Sequence, residues 1–537
     1  MTKDWTYGQA LVALLEEYGV DTVFGIPGVH TLELYRGLVG RNIRHVLTRH
    51  EQGAGFMADG YARVSGKPGV CFVITGPGVT NIATPMGQAY ADSIPMLVIS
   101  SVNETDTLGR GIGRLHETKD QQSLTRAITA LSATAYKGED IPGLIAQAFD
   151  IFNSQRPRPV HIAIPMDVLA CPVQAWPTHH QEVTESPVID PESLLAASRL
   201  LNRAKLPMII AGGGAIESHK QIKALAECLS APVFTTVAGK GILPPQHNLF
   251  AGAILCTQTG WDMIQKADVV LAIGTELADT DMWRDTLPIE GDIIRLDIDA
   301  NKFEDLYPCH TALHGDASVV LDALLPLIQF RHSISDVPIN VKGLPAAVAK
   351  EQKGPWLIVM QLLMVIRQSL PSNTVMATDM TQIAYAGNYL FNVAKTRQWL
   401  HPTGYGTLGY ALPAGIGAAI ADPQQPVAIL CGDGGFQYTM QELATAVEEV
   451  NGPLIVLLWN NNALGQIRDD MAERDIPLIG VLPHNPDFQT LAASFGCKTY
   501  QPNSIKALQE NIKDAVEFRG VSFIEMAQHK VFSTEIN

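Results

Sequence analysis

The residues best placed to do chemistry lie in one stretch, Cys431–Ile467, reading CGDGGFQYTMQELATAVEEVNGPLIVLLWNNNALGQI. Asp433 offers a carboxylate and Asn461 an amide oxygen, both hard donors of the kind that suits Mg²⁺. Gly432, Gly434 and Gly435 flank the carboxylate and carry no Cβ, so a phosphate can approach the backbone there. Together these residue types describe a clamp for Mg²⁺ and a diphosphate, without saying whose diphosphate it is.

The clamp needs elements that bring its two halves together. An apolar strand, Val427–Cys431, runs into Gly432-Asp433-Gly434, and a second, Leu454–Trp459, runs into Asn460-Asn461. A helical pattern over Met440–Val450 lies between them, which makes a βαβ unit whose strand ends point the same way. Loops at the carboxyl ends of parallel strands are where such sheets bind ligands. The helix that follows the glycines is expected to turn its N-terminal amides toward a phosphate.

The rest of the chain repeats strand and helix in the same manner. Residues 1–175 alternate short apolar strands (Thr22–Phe24, Arg44–Leu47, Val70–Thr75, Met96–Ser100, Pro159–Ile164) with helical segments, among them Glu51–Val64 and Asn81–Ala91. Residues 190–332 continue with Pro207–Ala211, Pro232–Thr236, Asp268–Gly274 and Ile293–Ile298, and residues 355–537 hold the clamp. This predicts an α/β protein of three parallel-sheet domains. Cys171–Pro187 and His332–Lys353 read as linkers. Gly212-Gly213-Gly214 lacks the full G-x-G-x-x-G spacing and reads as a strand-to-helix turn.

Composition bounds the function. With 537 residues, 46% hydrophobic and 17% charged, the chain is a multi-domain globular protein. Its net charge of −16 argues against nucleic acid or an anionic membrane as the main partner. Seven cysteines without a C-x-x-C indicate neither a disulfide framework nor a zinc ribbon. No run of 18 apolar residues occurs, and the N-terminus reads as an acidic amphipathic helix, so a cytoplasmic protein is expected.

Gly-Asp-Gly followed by Asn-Asn also resembles the signature of thiamine diphosphate (ThDP) enzymes. Thr48–Arg63, THREQGAGFMADGYAR, resembles that family's glutamate motif. The resemblance runs through nearly the whole chain and is to the acetolactate synthase/2-oxo acid decarboxylase branch, most nearly its 2-ketoarginine (5-guanidino-2-oxopentanoate) decarboxylases. It is carried by Pro27–Gly37, Leu115–Gln121, Thr378–Tyr385, His401–Gly406 and Trp459–Asp470.

The resemblance implies a pyrimidine-binding domain at 1–175, a central Rossmann-like domain at 190–332 and a diphosphate-binding domain at 355–537. Glu51 would be the catalytic carboxyl that bonds the cofactor's pyrimidine ring, although a carboxylate at a helix start also serves as a cap. Asp433, Asn461 and the carbonyl of Ala463 would hold the metal. Gly76, Asn81, Asp379, Thr381, Gln382, Gly406, Leu408, Gly432, Gly434 and Gly435 would line the cofactor, with Leu408 wedged under its bend. His116 is the candidate acid-base group for the proton that follows loss of CO₂.

Two outcomes stay open: decarboxylation of 5-guanidino-2-oxopentanoate to 4-guanidinobutanal, or an acetolactate-synthase-like carboligation of pyruvate. Val29 stands where many decarboxylases carry an acid or hydroxyl, with His30 next. Asp379, Glu117, Asp469 and Asp470 are available to receive a guanidinium. Gly274–Asp281 does not resemble the acetolactate synthase FAD loop, so no flavin is expected. The family builds its sites between subunits, which implies at least a dimer, more often a tetramer.

Overall fold

A computed structural model describes residues 5–173, 176, 189–330 and 340–528. Three six-stranded sheets are formed, and every strand pair whose register is resolved runs parallel. The first contains β1 (Thr22–Gly25), β2 (Arg44–Leu47), β3 (Gly69–Val73), β4 (Met96–Val102), β5 (Leu131–Thr134) and β6 (Val160–Pro165), in the order β2-β1-β3-β4-β6-β5. The second contains β7 (Pro207–Ala211), β8 (Val233–Thr235), β9 (Phe250–Gly252), β10 (Val269–Ile273), β11 (Asp292–Asp297) and β12 (Thr311–His314), ordered β12-β11-β10-β7-β8-β9. The third contains β13 (Val375–Thr378), β14 (Trp399–Leu400), β15 (Val427–Gly432), β16 (Leu454–Asn460), β17 (Lys498–Tyr500) and β18 (Val521–Ala527), ordered β14-β13-β15-β16-β18-β17.

The first and third sheets therefore share one strand order, and the second has the dinucleotide-fold order. Burial on both faces explains the uninterrupted apolar strands: β3, β4, β15 and β16 are buried throughout. The chain divides into two compact units. One comprises residues 1–184, 377–380 and 405–537, the other residues 185–376 and 381–404.

Within the first unit two helices made of small residues cross closely. Glu51–Ser65 and Ala411–Ala421 meet where Gly60 faces the Ala414 carbonyl and Gly417 faces the Met57 carbonyl. A side chain at either glycine would push the backbones apart, which explains the run of Gly and Ala in both segments.

Several sequence expectations are adjusted. The helix expected from Asn81 begins at Pro77, a residue favoured at the first helical position. The expected linker His332–Lys353 is partly ordered. Residues 331–339 lie outside the described residues, but Leu344–Glu351 is a helix whose Leu344 and Val348, four apart, are buried in the core of the second unit. The other expected linker, Cys171–Pro187, falls mostly outside the described residues.

The triple glycine is a turn: Gly213–Ser218 is a 3₁₀ segment before the helix His219–Leu229. The Gly212 and Gly214 amides already donate to the Ile273 and Gly274 carbonyls, so neither is free for a phosphate. Among the described residues no helix is long and apolar enough to cross a membrane.

Candidate active site

The residues singled out from the sequence share one topological address. Gly76 and Asn81 follow β3, Glu51 follows β2 and His116 follows β4. Asp379 follows β13, Gly406 and Leu408 follow β14, Gly432–Gly435 close β15, and Asn461 and Ala463 follow β16. All sit past the carboxyl ends of the four strands nearest the switch point of their sheet, where open α/β sheets bind ligands. Thr381 and Gln382 belong to the other unit, where Thr381 is the cap residue of the helix Gln382–Leu390.

Glu51 is the first residue of its helix, and the cap is made by His50, whose Nδ1 accepts from the Gln52 amide at 3.1 Å. Glu51 is therefore not needed to close its own helix. Its carboxylate is buried and accepts from Asn81 Nδ2 at 2.9 Å. Gly78 presents a bare backbone to it, since a Cβ there would lie 3.5 Å from Glu51 Oε1. The Gly76 loop is held from below by Gln121, whose Oε1 accepts from Thr75 Oγ1 at 2.7 Å and from the Gly76 amide at 3.2 Å.

In the third sheet, β15 and β16 are adjacent and parallel, pairing Gly432 with Trp459, so Asp433 and Asn461 emerge side by side. Burial pushes the Asp433 carboxyl above the usual carboxylate range, against the pull of hydrogen bonds from Asn485 and neighbouring amides. Asn485 Nδ2 donates to Asp433 Oδ2 at 2.6 Å and to Asn460 Oδ1 at 3.1 Å. Asn461 Oδ1 accepts from the Ala463 amide at 3.1 Å, which folds the loop so that Ala463 is buried against it. Carboxylate, amide oxygen and main-chain carbonyl, beside glycines without Cβ, fit Mg²⁺ and a diphosphate.

One expectation is corrected at this loop. A single turn, Asp433–Phe436, follows β15, and the next helix starts only at Glu442. Successive glycines are poor helix formers, and Thr439 Oγ1 donates to the Gly409 carbonyl at 2.8 Å instead of joining a helix. The backbone facing the site is thus the glycine turn and not a long helix terminus.

Asp379 organises the loop that carries Leu408. Its oxygens accept from the Met380 amide at 2.8 Å and the Gly409 amide at 3.0 Å, and a Cβ on Gly435 would lie 2.8 Å from Oδ2. Burial raises its pKa to about 6 against the pull of these amides. Thr407 Oγ1 donates to Gln88 Oε1 at 2.9 Å and Tyr410 Oη to Asp59 Oδ1 at 2.6 Å, so the half-buried Leu408 is held from both flanks. The Glu51 group and the Asp433 group are not joined by any hydrogen bond among the described residues.

Glu442 was not foreseen from the sequence. Its fully buried carboxylate accepts from the Arg49 amide at 3.1 Å through both oxygens, two residues before Glu51, and lies against Gly53. Burial pushes its pKa to about 7. Because the folded value is raised, its contribution to stability is fully present below about pH 4.5 and is lost as pH rises through about 7. Glu442→Gln keeps an acceptor for the amide and removes the titration. The stability difference between Glu442→Gln and the parent is therefore expected to grow in favour of the variant by about 2–3 kcal/mol between pH 5 and pH 8. Unfolding midpoints across that range measure it, and an unchanged difference refutes it.

The four acids considered for a guanidinium are largely committed. Glu117 accepts from the amides of Gly111, Gly113 and Arg114, each at 3.0 Å or less, and Asp379 is used as above. Asp469 pairs with Arg468 at 2.7 Å, and Asp470 accepts from Gln466 at 3.0 Å.

Sequence comparison gives this geometry its family. Residues 5–124 match the N-terminal TPP binding domain of thiamine pyrophosphate enzymes, residues 194–324 the central domain and residues 379–526 the C-terminal TPP binding domain. The chain belongs to the thiamine pyrophosphate enzyme family. Among its thiamine pyrophosphate relatives, the probable 2-ketoarginine decarboxylase of Pseudomonas aeruginosa is 57% identical over 526 residues, covering 98% of this chain and 94% of that protein. The acetolactate synthase large subunit of Corynebacterium glutamicum is 32% identical, covering 95% of this chain and 85% of that protein. The acetolactate synthase isozyme 1 large subunit of Escherichia coli is 30% identical, covering 99% and 96%.

Proposed function

We propose that this thiamine pyrophosphate enzyme is a Mg²⁺-dependent, non-oxidative decarboxylase that converts 5-guanidino-2-oxopentanoate to 4-guanidinobutanal and CO₂ in the cytoplasm. The observation that carries the reading is the 57% identity, sustained over nearly the full length of both chains, to a probable 2-ketoarginine decarboxylase. The site is consistent with it. Asp433, Asn461 and the Ala463 carbonyl would hold the metal, while Gly432, Gly434 and Gly435 would border the diphosphate. Glu51, fixed by Asn81, would bond the pyrimidine ring, and Leu408 would support the bend of the cofactor.

When bound, thiamine diphosphate supplies the nucleophilic carbon that adds to the 2-oxo group and accepts the electron pair released with CO₂. The chain's own part is to hold that cofactor, exclude water and manage protons at Glu51 and His116. Residues 1–175, 190–332 and 355–537 are read as the pyrimidine-binding, central and diphosphate-binding domains. Membership of a family that builds its sites between subunits supports a homo-oligomer, a dimer at least and a tetramer by preference, in which the Glu51 and Asp433 groups would meet across subunits.

A second reading, carboligation of pyruvate, is favoured by the acetolactate synthase relatives and by Val29 in place of an acid. Incubation with thiamine diphosphate, Mg²⁺ and each 2-oxo acid separates them. CO₂ and 4-guanidinobutanal from the guanidino substrate are expected. Acetolactate from pyruvate, with no CO₂ from the guanidino acid, would replace the first reading by the second.

A further inference from the structure

The loops after β1 and β4 bring two histidines together. The rings of His30 and His116 stack with centroids 5.4 Å apart and an interplanar angle of 24°. His30 is 4% exposed and His116 is half-buried, so His30 lies behind His116. Nδ1 of each ring is buried and has no hydrogen-bond partner among the described residues. Buried imidazole nitrogens are normally paired, so two unsatisfied ones on stacked rings call for a reason.

The surroundings bear on the state of His30. Asn103 Nδ2 donates to the Leu115 carbonyl at 2.9 Å, which sets the orientation of that amide, and the same nitrogen lies 3.3 Å from His30 Nε2. With its proton on Nδ1, His30 would accept from that amide at Nε2. Burial holds its pKa below the usual histidine value and the nearby His116 adds to this, while the Glu104 carboxylate and the Leu115 carbonyl oppose it. Two imidazoles this close resist carrying two charges.

The pair is also placed by strain. His116 adopts a left-handed backbone with φ 58°, and so does Gly76, with φ 66°. A Cβ on Gly76 would lie 2.6 Å from the His116 carbonyl oxygen, so the His116 loop can rest there only on a glycine. Gly76 caps the helix Pro77–Ala91, whose Gly78 and Asn81 face Glu51. A non-glycine residue held in this region costs about 1–3 kcal/mol, and such cost concentrates at functional loops.

We infer that His30 and His116 form one proton-handling pair, in which half-buried His116 delivers the proton and buried His30 is the positioning residue that limits the pair to a single charge. The inference rests on the decarboxylase reading above. Its net reaction, R–CO–CO₂⁻ + H⁺ → R–CHO + CO₂, breaks the bond to the carboxylate, and the electron pair left on the former carbonyl carbon takes one proton. His116 gives that proton and is recharged from solvent. His30 spaces the ring, keeps water from its inner face and prevents a second protonation.

The test combines a readout on the protein with one on turnover. Imidazole NMR titration of the apoprotein should show the His30 step below the ordinary histidine value, and in His116→Gln that step should move up by about half a pH unit or more. His30→Gln and His116→Gln should each lower kcat for aldehyde formation about ten- to a hundredfold with KM little changed. Two ferricyanide ions, each taking one electron, together with water give the carboxylic acid instead of the aldehyde and remove the need for that proton, so CO₂ release with ferricyanide should recover toward the parent rate. A His30 titration indifferent to His116→Gln, an unchanged kcat in His30→Gln, or no recovery with ferricyanide overturns the pair. If His30→Gln does not fold, the same outcomes are read from His116→Gln and from the parent titration. A parent protein that releases no CO₂ from either 2-oxo acid refutes the decarboxylase reading and leaves the titration result to be judged by itself.

Discussion

Glu51→Gln is expected to lower turnover by about 10²- to 10⁴-fold, the range that a positioned acid-base group contributes, with the fold unchanged. Gln has the same length, and its carbonyl oxygen can still accept from Asn81 Nδ2, so the bond that holds the side chain survives. What would be lost, on the proposed role of Glu51, is the exchangeable carboxyl proton offered to the cofactor's ring nitrogen. His50, not residue 51, caps the helix, so the Glu51–Ser65 segment should keep its stability. Steady-state rates beside the unfolding midpoint of the apoprotein make the measurement. Parental turnover in Glu51→Gln would remove thiamine chemistry from this site.

Asp433→Ala carries the second large effect, and its sign differs between the apoprotein and the loaded enzyme. In the apoprotein the Asp433 carboxyl has a raised pKa, so its contribution to stability is present at low pH and is lost as pH rises through the folded value. At pH 7.5 the variant removes a buried charge and leaves Asn485 bonded to Asn460 and Asn462, so apoprotein stability should hold or increase. With Mg²⁺ and thiamine diphosphate held as proposed, the order is expected to reverse. A ligand at 100 times its Kd stabilises the parent by about 2.7 kcal/mol, and loss of the charged ligand should weaken the pair by at least about 10–100-fold, the cost typical even of outer-shell changes.

Because only the ionised carboxyl binds metal, parental affinity should also fall as pH is lowered through the raised Asp433 value. Thermal shifts at graded Mg²⁺ concentrations read all three. Equal Mg²⁺ dependence in parent and Asp433→Ala would place the metal elsewhere.

Much of the architecture was legible because it rests on local patterns. The apolar runs ending in Gly25, Gly76 and Gly432 became buried strands, and strand–helix alternation gave three parallel sheets. Asp433 and Asn461 could be brought together from sequence because each terminates such a run, and parallel neighbours leave their ends side by side. The helix Leu344–Glu351 was missed because Gly, Pro and Lys near it outweigh its two core positions when read one residue at a time.

The sequence by itself determined the strand–turn units that carry Asp433 and Asn461, the helix that begins at Glu51 and the order in which strands deliver them. Periodicity and turn residues act over a few positions, and the chemistry of Asp, Asn and Glu is intrinsic to the side chain. Only the tertiary structure decided what those groups touch. It gave Asn81 to Glu51, Asn485 to Asp433, the Arg49 amide to Glu442 and His30 to His116, pairs far apart in the chain. It also turned Asp379 and Glu117 from candidate substrate acceptors into the fasteners of their own loops. Hydrogen bonds and desolvation depend on what the fold places within about 3 Å of an atom, and no spacing along one chain encodes that distance.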